Sequence, residues 1–285
     1  MTKICLFLLL TVTLGFPVAA PAEIHAPVTV VVPNGPLRLK ALLWRPVGRG
    51  PFPAVLFNHG SWPTSSSTGR PPEEIFAQAA TLGPVFARHG FVFLFLFRRG
   101  AGLSIGQGAS TADLMQSELA ANGQEARNQI QLRLLETYEL SDARAGLAYL
   151  RTLPEVDPRH VAVVGHSFGG SLTLLVAEQD KRLMAAVDFA GAAGSWESSP
   201  ELRDRLLAAV GATTMPIYFI HAENDYSVAP GEALAAEMAR LGKPHRLSIY
   251  PPFGTTASDG HNAIDLSVAT WEGDVFAFLS EQLRQ

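Results

Sequence analysis

The stretch Val161-Ala162-Val163-Val164-Gly165-His166-Ser167-Phe168-Gly169-Gly170 lies near the middle of the chain, and Ser171 to Glu178 follow it. Val161 to Val164 suit a short buried strand, and the run from Ser171 reads as a helix. Between them the G-x-S-x-G spacing closes a sharp strand-to-helix turn. Positions flanking such a turn are crowded, so residues without a side chain are favoured there. The serine hydroxyl is lifted above the sheet edge, and the helix behind it brings its positive end close. A glycine-rich turn could contain a serine by chance. The strand before and the helix after make Ser167 the candidate nucleophile.

Working outward, short apolar runs alternate with helical patterns. Val28 to Val32 and Leu37 to Leu43 predict two strands around a Pro33-Asn34-Gly35-Pro36 turn, pairing antiparallel at a sheet edge. Ala54 to Phe57 predicts a short buried strand, Glu73 to His89 a helix ended by Gly90, and Phe91 to Phe97 a strand covered on both faces. A helix is expected over about Ser141 to Leu153, stopping before Pro154. Further strands are expected at Ala186 to Phe189, Ile217 to Ile220 and Leu247 to Tyr250, with a closing helix from Trp271 to Leu283. Strands alternating with helices predict an α/β fold: a mostly parallel twisted sheet with helices on both faces, in one domain over residues 23–285.

The segment from Ser104 to Glu136 departs from this pattern. It is polar and rich in Gln, Asn and Glu, so one or two exposed helices outside the sheet are expected. It follows the fourth strand, at the sheet edge where open α/β folds bind ligands. Either it lies over Ser167 as a partial lid that limits substrate size, or it is a surface excursion without a role.

A serine hydroxyl needs a base, and on a strand-turn-helix site of this kind the order along the chain is serine, acid, histidine. His261 lies in Ser258-Asp259-Gly260-His261-Asn262, after the last strand and before the final helix, where a base must hang to reach Ser167. His221 and His245 also follow the turn, but they adjoin strands and read more simply as structural or exposed. The acid is expected after the strand Ile217 to Ile220, and Asp225 is the choice, with Glu223 and Asp259 as rivals. For the oxyanion, one backbone N–H would come from Phe168. The second would come from Asn58-His59-Gly60-Ser61-Trp62, with Ser61 preferred and Trp62 the alternative. His59 reads as a support of that loop.

These residues resemble the α/β-hydrolase superfamily, and most closely its dienelactone-hydrolase-like branch. The resemblance is carried by Asn58-His59-Gly60, Arg99-Gly100-Ala101-Gly102-Leu103-Ser104, Val156-Asp157-Pro158-Arg159, Gly165-His166-Ser167-Phe168-Gly169-Gly170, Asp225 and His261. It spans about Val28 to the C-terminus. The true dienelactone hydrolases it resembles use a cysteine nucleophile where this chain has Ser167. The resemblance implies hydrolysis of an ester or related acyl bond in a small molecule, through a Ser-His-Asp triad and an acyl-enzyme. It also resembles the hydrolase domain of prolyl-oligopeptidase-like serine peptidases, and a ligand-binding homologue without catalysis is a third reading. Trp62, Trp196, Tyr226 and Phe253 are candidate substrate-binding residues, although aromatics at such places equally serve a core. Arg98 and Arg99 would suit a substrate carboxylate or structural ion pairs.

The rest of the sequence excludes more than it adds. The chain has 285 residues, 47% hydrophobic and 17% charged, with a formal net charge of -4. That is a globular composition without the basic footprint of a nucleic-acid binder. The eight histidines show no metal-ligand spacing, and no nucleotide-phosphate or dinucleotide fingerprint appears, so no metal and no cofactor are expected. At the N-terminus Lys3 precedes an apolar run from Ile4 to Phe16 and the small-residue site Ala20-Pro21-Ala22. Residues 1–22 therefore read as a signal peptide, cut before Glu23, of an exported (periplasmic or secreted) protein. The apolar run of about 13 residues falls short of the ~20 that cross a bilayer, so no stable membrane span is expected after processing. The single cysteine, Cys5, lies in that segment, which leaves the mature chain without disulfide or thiolate chemistry. Oligomeric state is not encoded in any feature of the sequence.

Overall fold

The computed structural model describes residues 25–62 and 73–283, so the signal peptide reading of Met1 to Ala22 lies outside the described residues. The strands are β1 (Val28–Asn34), β2 (Leu37–Trp44), β3 (Phe52–Asn58), β4 (Val92–Phe97), β5 (Val156–His166), β6 (Ala185–Phe189), β7 (Ile217–Ala222) and β8 (His245–Tyr250). They form one sheet in the order β1-β2-β4-β3-β5-β6-β7-β8. β1 and β2 pair antiparallel, β2 joins β4 antiparallel, and from β4 onward every pairing is parallel. The helices are α1 (Glu73–Arg88), α2 (Thr111–Leu134), α3 (Leu140–Leu150), α4 (Phe168–Gln179), α5 (Pro200–Ala212), α6 (Ala229–Arg240), α7 (Ala257–His261), α8 (Ala263–Leu266) and α9 (Val268–Leu283).

Successive strand residues face opposite layers. In β4, Phe93, Phe95 and Phe97 pack with Ile75 and Phe86 of α1 and Trp271 and Phe276 of α9. Leu94 and Leu96 face the other layer, with Leu147 of α3, Leu172 of α4, Leu206 of α5 and Leu234 of α6. A strand apolar at every position is thus required here, because both of its faces are covered. Helix α4 is buried from Phe168 to Ala177, so the element that follows Ser167 is anchored along most of its length.

The polar segment and the helix after it add detail to the sequence expectation. The polar segment is one helix, α2, broken at Gly123, where φ is 83° and ψ is -174°. A side chain at this combination is strongly disfavoured, so glycine makes the break. The helix that follows starts at Leu140, beside the expected Ser141, and ends at Leu150. A π-helical turn, Leu135–Glu139, carries α2 directly into α3 at Leu140. Leu134 and Leu135 supply apolar anchors, and Glu139 is drawn inward to Arg98, with which it forms a buried ion pair. The first half of α2 is mostly exposed, whereas Asn128, Ile130, Gln131 and Leu134 in the second half are buried. The sparse apolar positions of this segment therefore dock its start, through Leu114 and Met115, and its second half, and leave the middle exposed.

Candidate active site

Ser167 stands between the end of β5 and the start of α4 with φ 57° and ψ -120°, a strained region for a residue with a side chain. Its conformation is held by a hydrogen bond from its backbone N–H to Phe189 O at 2.8 Å. The neighbouring glycines are sterically required. A Cβ on Gly165 would lie 2.1 Å from Gly169 O, and one on Gly169 would lie 2.0 Å from Asn58 O.

Ser167, His261 and Asp225 come together from three separate segments. The Ser167 hydroxyl lies 2.8 Å from His261 Nε2, and His261 Nδ1 lies 2.7 Å from Asp225 Oδ1. With Nδ1–H donating to the carboxylate, Nε2 is left to accept the serine proton. The Asp225 side chain is sealed from solvent and accepts two further hydrogen bonds. Tyr226 N–H donates to Oδ1 at 2.7 Å, and His221 Nδ1 donates to Oδ2 at 2.9 Å. Burial pushes the Asp225 pKa up, but the hydrogen bonds from His221 and His261 outweigh it, and the net shift is below the usual carboxylate range. Asp225 is therefore an anion at neutral pH, suited to balance an imidazolium at His261.

The rivals lie elsewhere. Glu223 is exposed, and Asp259 caps the first turn of α7 by accepting from Thr255 and Thr256 N–H. His245 donates to its near neighbour, Lys243 O. His221 is not exposed but fully buried, and it braces Asp225.

His166, the variable residue before Ser167, has a part that the motif does not disclose. Its Nε2 donates to the backbone carbonyl of His261 at 2.8 Å, while Gln78 Nε2 donates to its Nδ1 at 3.2 Å. Burial, with a smaller contribution from His261, pulls its pKa down to about 3, so it stays neutral. It fixes the backbone of the loop that carries the histidine.

The loop after β3 lies against the serine, and a Cβ on Gly60 would sit 3.5 Å from Ser167 Cβ. Phe168 opens α4, so its N–H belongs to the first turn, where amides lack an intrahelical acceptor. Phe168 and Ser61 both border a cavity of about 180 Å³ that also exposes Ser167, His261, Arg127 and Tyr226. His59 braces this loop. Its Nδ1 donates to Gly60 O at 2.6 Å, and Arg98 Nη2 donates to His59 O at 2.7 Å. Burial, followed by the charge of Arg98, holds the His59 pKa well below its ordinary value. Arg98 and Arg99 are committed to Glu139 and Asp142 as ion pairs.

The candidate substrate-binding aromatics separate. Tyr226 borders the Ser167 cavity, and its ring centre lies 4.9 Å from that of His261. Trp62 lines a separate crevice of about 20 Å³ with Arg98, Arg99 and Phe168, which does not include Ser167. Phe253 lines an apolar cavity of about 190 Å³ that includes His261 and Trp271 but not Ser167. Trp196 is buried in the core with Phe168 and Leu202. The Ser167 cavity is instead walled by Arg127 and Gln131 of α2 and by the loop after β6, Ala192 to Ser195. In that loop Ala190 and Ala192 hold positive φ, which nothing in the letters signals.

A family model described as the dienelactone hydrolase family matches residues 76–265. Among characterised relatives, the quorum-quenching protein AidA of Acinetobacter baumannii (strain MDR-ZJ06) is 27% identical over 163 residues, 57% of this chain and 43% of that protein. The polyketide transferase grgF of Penicillium sp. is 31% identical over 177 residues, 58% of this chain and 52% of that protein. The chain thus spans about half the length of these relatives. Among solved structures, the dienelactone hydrolase of Anabaena variabilis ATCC 29413 superposes with a TM-score of 0.58 at 20% identity, covering 91% of this chain and 100% of that one. At that identity the likeness is one of fold.

Proposed function

This chain belongs to the dienelactone hydrolase family, and from that premise we propose that it is a serine hydrolase that cleaves the ester bond of a small molecule through Ser167, His261 and Asp225. The observation that carries this reading is the unbroken hydrogen-bonded line from Ser167 Oγ through His261 to Asp225, at 2.8 and 2.7 Å, opening onto a cavity.

In the first step His261 Nε2 takes the Ser167 proton while Oγ attacks the substrate carbonyl carbon. The carbonyl oxygen becomes an oxyanion beside the N–H groups of Phe168 and Ser61, with the N-terminus of α4 directed at the same point. Collapse breaks the ester bond, and the departing alkoxide takes the proton from His261. Water then repeats the sequence on the acyl-enzyme, with His261 as base again, and releases the acid. Asp225 balances the imidazolium in both halves.

The cavity is small, which favours a compact ester over a peptide chain. The test is reaction with a fluorophosphonate probe followed by peptide mapping. The label is expected on the peptide containing Ser167, and Ser167→Ala is expected to abolish it and to lower ester turnover at least ~10⁴-fold. Labelling elsewhere, or near-normal turnover of Ser167→Ala, would overturn the assignment.

A further inference from the structure

The apolar cavity of about 190 Å³ shares one residue with the Ser167 cavity among the described residues, and that residue is His261. Its floor is made by Phe189 at the end of β6, Ile220 in β7, Ile264 in α8 and Trp271 in α9, all of them buried. Pro251, Pro252 and Thr270 border it and are exposed, so it opens to solvent. Gly260 and Ala263 flank the histidine along the same wall. The segment that carries the base therefore stands between two cavities, and only one of them reaches the nucleophile.

Among the described residues no carboxylate, lysine or arginine lines this cavity, and its polar side chains are committed elsewhere. Tyr250 OH donates to Asp274 Oδ2 at 2.6 Å, Ser267 Oγ and Thr270 Oγ1 lie 2.5 Å apart, and Trp271 Nε1 donates to Ile264 O at 2.8 Å. His261 is held by Ser167 and Asp225. His221 Nε2 has no partner among the described residues, but it lies toward α6, where a Cβ on Gly231 would be 2.9 Å from it. Water needs polar partners to be held in a cavity, and an apolar cavity of about 150 Å³ stays dry and takes up benzene or xenon instead. A charged or strongly hydrogen-bonding ligand would lose its hydration here without compensation. An uncharged apolar one gains by leaving water, and an aromatic ring gains further from the faces and edges of Phe189 and Trp271.

We propose that this cavity is a second ligand site, which takes a compact, uncharged aromatic or aliphatic molecule while a substrate is held at Ser167. Ser167 does not line it, so its ligand is a separate molecule from the ester being cleaved. The ligand touches the segment that carries His261 from the side away from the chemistry. The site goes beyond the serine hydrolase reading and does not rest on it.

The experiment measures thermal unfolding of the protein after Ser167 has been blocked by a fluorophosphonate, with toluene as the probe and benzoate as its charged counterpart. Toluene at about 5 mM is expected to raise Tm by about 2 °C or more, as a ligand with a Kd of about 1 mM or tighter would. Benzoate at the same concentration is expected to leave Tm unchanged. Ala263→Phe, which places a ring in the cavity, is expected to abolish the toluene shift. No shift with toluene in the blocked protein would overturn the proposal, as would an equal shift with benzoate or a shift that survives in Ala263→Phe. Crystals of the unblocked protein under xenon pressure locate the site even if Ala263→Phe does not fold or Ser167 takes no label. Xenon density is expected between Phe189, Ile220 and Trp271, and its absence there would overturn the site while leaving the serine hydrolase reading untouched.

Discussion

Replacing Asp225 by asparagine isolates one quantity, the carboxylate charge. Oδ1 accepts from both His261 Nδ1 and Tyr226 N–H at 2.7 Å, and Oδ2 accepts from His221 Nδ1 at 2.9 Å. An asparagine side chain has one acceptor oxygen and one NH₂ donor. The backbone N–H of Tyr226 can only donate, so the amide oxygen must take the place of Oδ1. The NH₂ then meets His221, whose buried Nε2 has no partner and can take up the proton, turning Nδ1 into an acceptor. His261 accordingly keeps its tautomer and its orientation. What disappears is the negative charge beside the imidazolium. At about 4 Å and an effective dielectric near 20, a unit charge pair is worth about 4 kcal/mol. That corresponds to a fall in kcat of about a thousandfold. The assay is initial-rate hydrolysis of 4-nitrophenyl acetate, with Ser167→Ala as the floor and Glu223→Gln, at an exposed site, as the control expected within about twofold of wild type. A fall in kcat of less than tenfold for Asp225→Asn would refute the reasoning, because the charge would then be doing little.

Three further outcomes follow from buried groups around the site. Asp188 is buried, its Oδ1 has no hydrogen-bond partner among the described residues, and burial, opposed in part by His221 and the Gly191 N–H, pushes its pKa up to about 7. The folded value exceeds the unfolded one, so folding binds a proton and stability falls as pH rises from about 4 to about 7, by up to about 4 kcal/mol in all. Asp188→Asn should flatten the urea midpoint across that window, and an unchanged slope would show that Asp188 does not titrate there. His166→Leu removes the donor to His261 O and strands Gln78, and should lower kcat by roughly tenfold. Since His166 is neutral above its pKa of about 3, the shape of the pH–rate profile between 5 and 8 should be unchanged, and an altered limb would give His166 a titrating role. Gly169→Ala places a Cβ 2.0 Å from Asn58 O and should cost about 3 kcal/mol or more, roughly 10 °C in Tm. Wild-type thermal stability in that variant would mean that the turn is looser than described.

Much of this architecture is written locally in the chain. The turn at Ser167 is legible because its steric demands fall on adjacent residues, and the parallel sheet is legible because β4 and β5 must be apolar on both faces. The order of Ser167, Asp225 and His261 along the chain is what the family resemblance implies, and it guided the choice of the last two. Other features are long-range and leave no local mark. His166 acts through a carbonyl 95 residues away. His221 reaches Asp225 only because the chain turns at the end of β7, and the spacing of four between them resembles any other. Arg127 and Gln131 look like ordinary surface residues of a polar helix until its second half docks. Trp196 and Phe253 show the converse, since an aromatic side chain cannot declare from sequence whether it faces a core, a neighbouring cavity or the site. Helices α5 and α6 are not anticipated from the sequence, although Pro200 and Pro230 stand in their first turns and Leu202, Leu206, Ala209 and Val210 recur at helical spacing.

The break at Gly123 separates two stretches of α2 that stand at different removes from Ser167. Beyond it, Arg127 faces the cavity, Asn128 Nδ2 donates to Ser198 O, and the π-helical turn delivers Glu139 to Arg98, which in turn holds the loop after β3 through His59 O. A change there is felt at the chemistry within two contacts. Before it, residues from Gln116 to Asn122 are largely exposed, and Gly123 itself leaves the helical dihedrals. Only the exposed stretch from Gln116 to Asn122 lies clear of the buried anchors, Thr111 and Met115 on one side of it and Asn128 on the other, and Thr111 itself donates to Glu139. Gly123 thus works as a firebreak between that exposed stretch and the residues that reach Ser167.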